Sequence, residues 1–314
     1  MILLKFKNLI NAINSALKVL ILEKRYVDGD SWGFYFGGHM GDLVIFSSIS
    51  NELCIQRGGK RVVLFVPQNL SWIPSLFPSK RIKTINLNIY PKSWRFLPSA
   101  RLIPQIGRIS PMHPDWLVGI AGWNRSTFLD FYLSYLQLDP GTLPEKMKLP
   151  NEEELKIAYY FMKQNNFPVG KTVLLCPEAF SVGFLPEEKK AWGFIISELV
   201  SAGYTVGINA SKAYMKNINL NSKVKLIFPP LALMRGIALL SGIVIAKRSG
   251  LVDLLAGLPI RMIVIYGLEP CLQGQDELSF YSQRLMKTSS SVVEICGAFW
   301  WNDVLENVSP SRKL

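Results

Sequence analysis

Short runs of consecutive apolar residues alternate along most of the chain with longer segments in which apolar residues recur every three or four positions. The first such unit starts at Gly33, where Gly-Phe-Tyr-Phe36 predicts a buried strand. A glycine-rich turn (Gly37, Gly38, Gly41) follows, and a helix runs from about Asp42 to Arg57. Gly58-Gly59 stops that helix, and Arg61-Val-Val-Leu-Phe-Val66 is the next strand, so the unit is a βαβ crossing with parallel strands. Residues 67–115 are rich in proline and tryptophan and predict loops and short elements, with one strand at Ile82–Leu87. A helix over Ser126–Leu138 leads into Leu138-Asp-Pro-Gly-Thr-Leu-Pro144, the best linker in the chain.

The second half repeats this grammar. A helix over Glu152–Asn165 precedes a strand at Thr172–Cys176, a loop, a helix at Glu187–Ser201 and a strand at Tyr204–Ile208. Further strands are expected at Val224–Phe228, Gly242–Ala246, Ile260–Tyr266 and Val292–Ile295, with helices at Leu231–Leu240, Leu251–Gly257 and Ala298–Asn307. Continuous apolar strands separated by helices belong to parallel sheets covered on both faces. The expected fold is therefore α/β, two Rossmann-like doubly wound domains facing a cleft: residues 1–150, residues 151–297, and a closing helix in 298–314 packed back on the first domain. Ligands are expected at the carboxyl ends of the strands.

Composition narrows the function. At 314 residues, with 49% hydrophobic and 18% charged residues, the chain is globular and long enough for two cores. The four cysteines and two histidines form no cluster with metal-ligand or disulfide spacing, so no metal site is expected and a reducing, cytoplasmic compartment fits. Lys and Arg outnumber Asp and Glu by 12. This excess favours an anionic partner, and its scatter along the chain argues against nucleic acid. Part of it lies in residues 1–25, where Phe6, Leu9, Ile10, Ile13, Leu17, Leu20 and Ile21 recur at helical spacing among Lys5, Lys7 and Lys18. Two readings stand side by side: a helix lying on the anionic inner face of a membrane, and a helix packed on its own domain.

Candidate chemistry sits in three turns that follow strands. In the first, glycines 37, 38 and 41 leave the backbone open to a ligand while His39 and Asp42 supply proton-accepting groups. In the second, Cys176-Pro-Glu-Ala-Phe-Ser181 offers Glu178 and Ser181. In the third, Ala246-Lys-Arg-Ser-Gly-Leu-Val-Asp253 offers Lys247 and Arg248 as charge, Ser249 and Gly250 with the following N–H groups as a phosphate seat, and Asp253 one helical turn on. A plainer reading makes Lys247 and Arg248 a solvated turn.

The order of these pieces resembles the GT-B glycosyltransferases of the lipopolysaccharide heptosyltransferase type (glycosyltransferase family 9). Gly41-Asp42 matches that family's opening Gly-Asp loop, Pro177-Glu-Ala-Phe-Ser181 its proline-to-serine loop, and Arg248-Ser-Gly-Leu-Val-Asp253 the outline of its Asp-Ser/Thr-Gly-x-x-His motif, with Arg248 and Asp253 where the family has Asp and His. The resemblance implies a nucleotide-sugar donor, a glycan or glycolipid acceptor and Asp42 as the base; from the residues alone, His39 remains its alternative. Cationic groups and helix ends suffice to hold a departing phosphate, so metal-independent, inverting transfer without a cofactor is expected. A nucleotide-sugar epimerase of the same architecture is a rival that needs further carboxylates in the first domain, where Asp115 and Asp130 are poor candidates. A non-catalytic nucleotide- or glycan-binding protein is the second rival.

Overall fold

The structure is a computed structural model that describes residues 2–36, 40–87, 96, 103–112, 127–179, 186–211, 222–267, 292–296 and 300–308. The chain divides into two compact units, Met1–Lys148 and Leu149–Leu314. Among the described residues each unit is built on one parallel sheet.

In the first unit, helix α1 (Ile2–Tyr26) precedes strand β1 (Ser31–Phe36), helix α2 (Met40–Arg57) and strands β2 (Arg61–Val66), β3 (Ile82–Asn86) and β4 (Ile109–Met112). The strand order is β3-β2-β1-β4. Alternate side chains of β1 face opposite layers. Tyr35 joins Val63, Phe65 and Ile109 against Ala16 and Val19 of α1, whereas Phe34 and Phe36 meet Phe46 of α2, with ring centroids 4.6 and 5.3 Å apart. Phe46 in turn touches Tyr132 of helix α3 (Phe128–Leu136). From Asp42 to Ser50 every residue of α2 is buried. The hydroxyls of Ser48 and Ser50 make this tolerable by donating back to the Ile45 and Phe46 carbonyls at 2.6 and 2.8 Å. Gly58 and Gly59, with φ of 77° and 97°, end the helix, and the Trp32 indole donates to the Gly58 carbonyl.

Strand β4 falls in the stretch expected to be loops. It is four residues long and contains Pro111, which breaks the apolar run and cannot donate to a ladder. It is tolerated because β4 lies at the edge of the described sheet, paired on one side to β1. The Leu138–Pro144 segment is also not a free linker. Gln56 of α2 accepts from Asp139 N and donates to the Thr142 hydroxyl, and Glu145 N donates to the Ser48 carbonyl, so the segment is strapped to the first unit.

The second unit runs through helix α4 (Glu152–Gln164), strand β5 (Thr172–Cys176), helix α5 (Pro186–Ser201), strands β6 (Thr205–Asn209) and β7 (Val224–Ile227), helix α6 (Met234–Ser241), strand β8 (Ile243–Lys247), helix α7 (Gly250–Leu255), strands β9 (Arg261–Gly267) and β10 (Val292–Cys296), and helix α8 (Trp300–Val308). The order is β10-β9-β8-β5-β6-β7. One face of the sheet carries Val173, Leu175, Val206, Ile208, Ile245 and Ile263 against α5 and α8. On the other face α4 and α6 approach closely at Gly236, where an added Cβ would stand 2.7 Å from Ala158 Cβ. Helix α4 starts in a capping box between Asn151 and Glu154, with three glutamates in its first turn at the positive end of the helix. Helix α8 inserts Trp300, Val304, Leu305 and Val308 into the second unit's own core, with the Trp300 and Trp192 rings 5.0 Å apart. The apolar face expected to cover the first domain is therefore spent within the second.

Gly33 tests the edge strand. A Cβ there would come within 2.7 Å of the Arg108 carbonyl and 2.9 Å of Ile109 and Val27 side-chain carbons. Gly33→Ala is expected to cost about 1–3 kcal/mol of stability in thermal unfolding. Gly193→Ala, in open space on α5, should stabilise by about 0.5–1 kcal/mol. An unchanged melting temperature for Gly33→Ala would mean that β4 is not seated beside β1.

Candidate functional site

Both sheets reverse direction in the same way. In the first, β1, β2 and β3 step outward to one side and β4 then lies on the other side of β1. In the second, β5, β6 and β7 step outward and β8 lies on the other side of β5. Where successive crossovers leave in opposite directions, the helices part at the carboxyl ends of the two central strands and leave a crevice there. These switch points are β1/β4 and β5/β8. Of the residues singled out in the sequence, Gly41, Asp42, Glu178, Lys247, Arg248, Ser249, Gly250 and Asp253 are described and lie at the ends of these strands or in the segments that follow them.

At the first switch point the chain leaves β1 at Phe36 and enters α2 at Met40. Gly41 and Asp42 are the second and third residues of the helix, and Asp42 is 4% exposed. A carboxylate in a first turn lies at the positive end of the helix. Gly37, Gly38 and His39 lie outside the described residues. Asp130, the described carboxylate weighed for an epimerase, is used locally: it accepts from the Thr127 backbone and hydroxyl in the capping box of α3. Asp115 lies outside the described residues.

At the second switch point Cys176 of β5 pairs with Ala246 of β8, so Pro177-Glu178 and Lys247-Arg248 emerge side by side. Glu178 reaches across the carboxyl end of the sheet to accept from Ser211 N at 2.7 Å and from the Ser211 hydroxyl at 2.9 Å, clasping the turn after β6. Ser181 is outside the described residues. Burial pushes the Cys176 thiol up to about 12, more than offsetting the hydrogen bond from Asn209, so the thiol stays protonated and is no nucleophile near neutral pH.

The two cations are not a solvated turn. Lys247 shares the face of Ile243 and Ile245 and is 4% exposed; its ammonium sits 2.9 and 3.0 Å from both carboxylate oxygens of Glu188 in the first turn of α5. Arg248 is 5% exposed and makes a two-pronged bond to Asp253, Nη2 to Oδ1 at 2.8 Å and Nη1 to Oδ2 at 3.0 Å, while Nη1 also donates to the Ser249 carbonyl. Each cation therefore has a carboxylate of its own. Arg248 braces the Ser249-Gly250 turn from behind, with Asp253 as the far anchor. Ser249 and Gly250 remain partly exposed, Ser249 in extended conformation at the start of α7. That helix is six residues long, so what it offers an anion is its open N–H groups rather than a long dipole. Glu188 is the residue that sequence reasoning missed. Its only signal was an acid in the first turn of a helix that follows a central strand.

The chain also contains an Asp-x-Asp, Asp28-Gly29-Asp30. It precedes β1, at the amino end of the sheet and away from the switch point. There the Ser31 hydroxyl and the Arg61 guanidinium hold Asp28 below the usual carboxylate range, and Asp30 pairs with Lys60 at 2.6 Å.

No protein-family model and no curated protein sequence matches the chain. Among solved structures it is similar to the ADP-heptose lipopolysaccharide heptosyltransferase II of Escherichia coli, with 14% identity, a TM-score of 0.60, and 88% of this chain and 96% of that one covered. It is also similar to a glycosyl transferase family 9 protein of Veillonella parvula, with 10% identity, a TM-score of 0.56, and 86% and 88% covered. Likeness at this level of identity establishes the fold, two Rossmann-like α/β units of the GT-B type, over nearly the whole chain.

Buried pairs make a prediction that exposed ones would not. Asp253→Asn leaves Arg248 uncompensated and should cost about 3–5 kcal/mol in urea unfolding, whereas Arg248→Met combined with Asp253→Leu should cost clearly less than either single change. A single-variant cost below about 1 kcal/mol would place the pair in solvent.

Proposed function

We propose that the chain is a metal-independent, inverting glycosyltransferase that moves a sugar from a nucleotide-sugar donor to a hydroxyl of a surface-glycan or lipid-linked acceptor at the cytoplasmic face of a membrane. The observation that carries this reading is the coincidence of chemistry with topology: an acid at the first switch point and a braced Ser-Gly turn at the second, in a fold similar to that of an ADP-heptose heptosyltransferase.

In this reading Asp42 takes the proton of the acceptor hydroxyl as that oxygen bonds to the anomeric carbon and the bond from that carbon to the phosphate oxygen breaks. One displacement inverts the configuration. The departing nucleotide gains negative charge, which the N–H groups and hydroxyl of the Ser249-Gly250 turn stabilise. Ser181 and the positive potential of Lys247 and Arg248 assist. Because each cation is already paired, their part is to fix the turn and balance charge as the phosphate arrives; Arg248 acts as a positioning residue.

Asp42→Asn keeps the shape of the side chain and removes its basicity. It should lower turnover by at least about 100-fold with the melting temperature close to that of the unaltered protein, measured by nucleotide release over a panel of nucleotide-sugars with a lipid-extract acceptor. Full activity would eliminate Asp42 and move the role to His39. Thermal stabilisation by a nucleotide-sugar with no transfer would favour a binding protein over an enzyme.

A further inference from the structure

Helix α1 is amphipathic in an unusual sense. The side that packs on the first sheet buries Ala12, Ser15, Ala16, Val19 and Glu23, with Leu20, Leu22 and Tyr26 half-buried beside them. Five large apolar residues point the other way. Phe6, Ile10, Ile13, Leu17 and Ile21 recur at steps of four, three, four and four, which puts them in one stripe along the helix. All five are exposed, Phe6 by 61% and Ile21 by 66%, and Leu9 widens the stripe on one side. On an ordinary surface helix this face would be polar.

The charges on the helix all have one sign where they meet solvent. Lys7, Lys18, Lys24 and Arg25 are exposed. The sole acid, Glu23, is turned inward and buried, where it accepts from Ile109 N at 2.7 Å and lies 3.5 Å from the Arg108 guanidinium. Lys7, Lys18 and Arg25 flank one border of the apolar stripe, as their spacing of eleven and seven residues requires. No described helix is long and apolar enough to cross a membrane.

We infer that the outward face of α1 is a membrane-docking surface that takes an anionic phospholipid bilayer, with Phe6, Ile10, Ile13, Leu17 and Ile21 seated among the acyl chains and Lys7, Lys18 and Arg25 against the headgroup phosphates. Charge complementarity selects this occupant over a second copy of the chain, because two copies of this face would bring lysines and arginines together with no exposed acid on either helix. At 25 residues the helix is about 37 Å long, and it lies in the plane of the interface, its depth set by the apolar stripe. The inner face stays on the sheet, so docking needs no unfolding. The inference rests on the membrane reading given above and not on the transfer chemistry.

The test is flotation of the full-length protein with phosphatidylcholine vesicles, with and without phosphatidylglycerol. Binding is expected only with phosphatidylglycerol, weakening as salt rises. Lys7→Gln and Lys18→Gln should each lower the partition coefficient by about fivefold, and Ile10→Glu with Leu17→Glu should lower it by more than about tenfold, at an unchanged melting temperature. Binding to neither vesicle, equal binding to both, or unaltered binding by the double glutamate variant overturns the inference. So does a dimer that fails to bind vesicles and that the double variant dissociates, since a second copy would then cover the face. A protein that docks but transfers no sugar removes the transferase reading and leaves the docking face standing.

Discussion

A parallel strand has no local route to its neighbour. The chain must leave the carboxyl end, cross a face and return to the amino end, and the central strands are buried on both sides as a result. All the described strand ladders of both units obey this constraint. It also dictates where a ligand can be received. Once β1 and β5 have neighbours added first on one side and then on the other, the crossovers part at the carboxyl ends of those two strands and nowhere else in the sheet. Asp42 lies in the first turn of α2, the helix after β1, Glu178 follows β5, and Lys247–Asp253 runs from the end of β8 into α7. Their positions are consequences of strand order before they are matters of side-chain chemistry.

The second switch point shows how charge is managed inside such a fold. A lysine and an arginine buried to about one part in twenty would be untenable alone. Glu188 and Asp253 neutralise them, and the geometry is good on both: two carboxylate oxygens on the ammonium, two parallel bonds on the guanidinium. The consequence is a turn that is rigid and nearly neutral overall.

Much of this was legible in the chain's pattern, and the exceptions have physical causes. Strands β2 and β5 are continuous apolar runs between glycine or proline stops and emerge with their observed bounds. Strand β4 escaped notice because Pro111 sits in it and only four residues are needed at an edge. Its loss hid the first switch point, since β4 is what reverses the strand order. The tail helix was recognisable from its spacing, but periodicity says that a face is apolar without saying what covers it; Trp300 meets Trp192 in the second unit. Lys247 and Arg248 were visible as charges, while their partners were not. Asp253 is five residues from Arg248 and Glu188 is fifty-nine from Lys247, a separation only the fold closes. For α1 periodicity could not separate the two readings: Ala16 and Val19, with Leu20, Leu22 and Tyr26 beside them, pack on the first sheet, while Phe6, Ile10, Ile13, Leu17 and Ile21 stay exposed.

The account stands on ligand arriving at the carboxyl ends of the central strands. Amide hydrogen exchange, followed by mass spectrometry with and without ADP-, UDP-, GDP- and CMP-sugars, reports this directly. One of these donors is predicted to slow exchange in residues 177–179 and 246–252 together, leaving the amino-end turn at 28–31 unchanged. Protection confined to residues 28–31 and 60–61, around the Asp-x-Asp, would contradict the account.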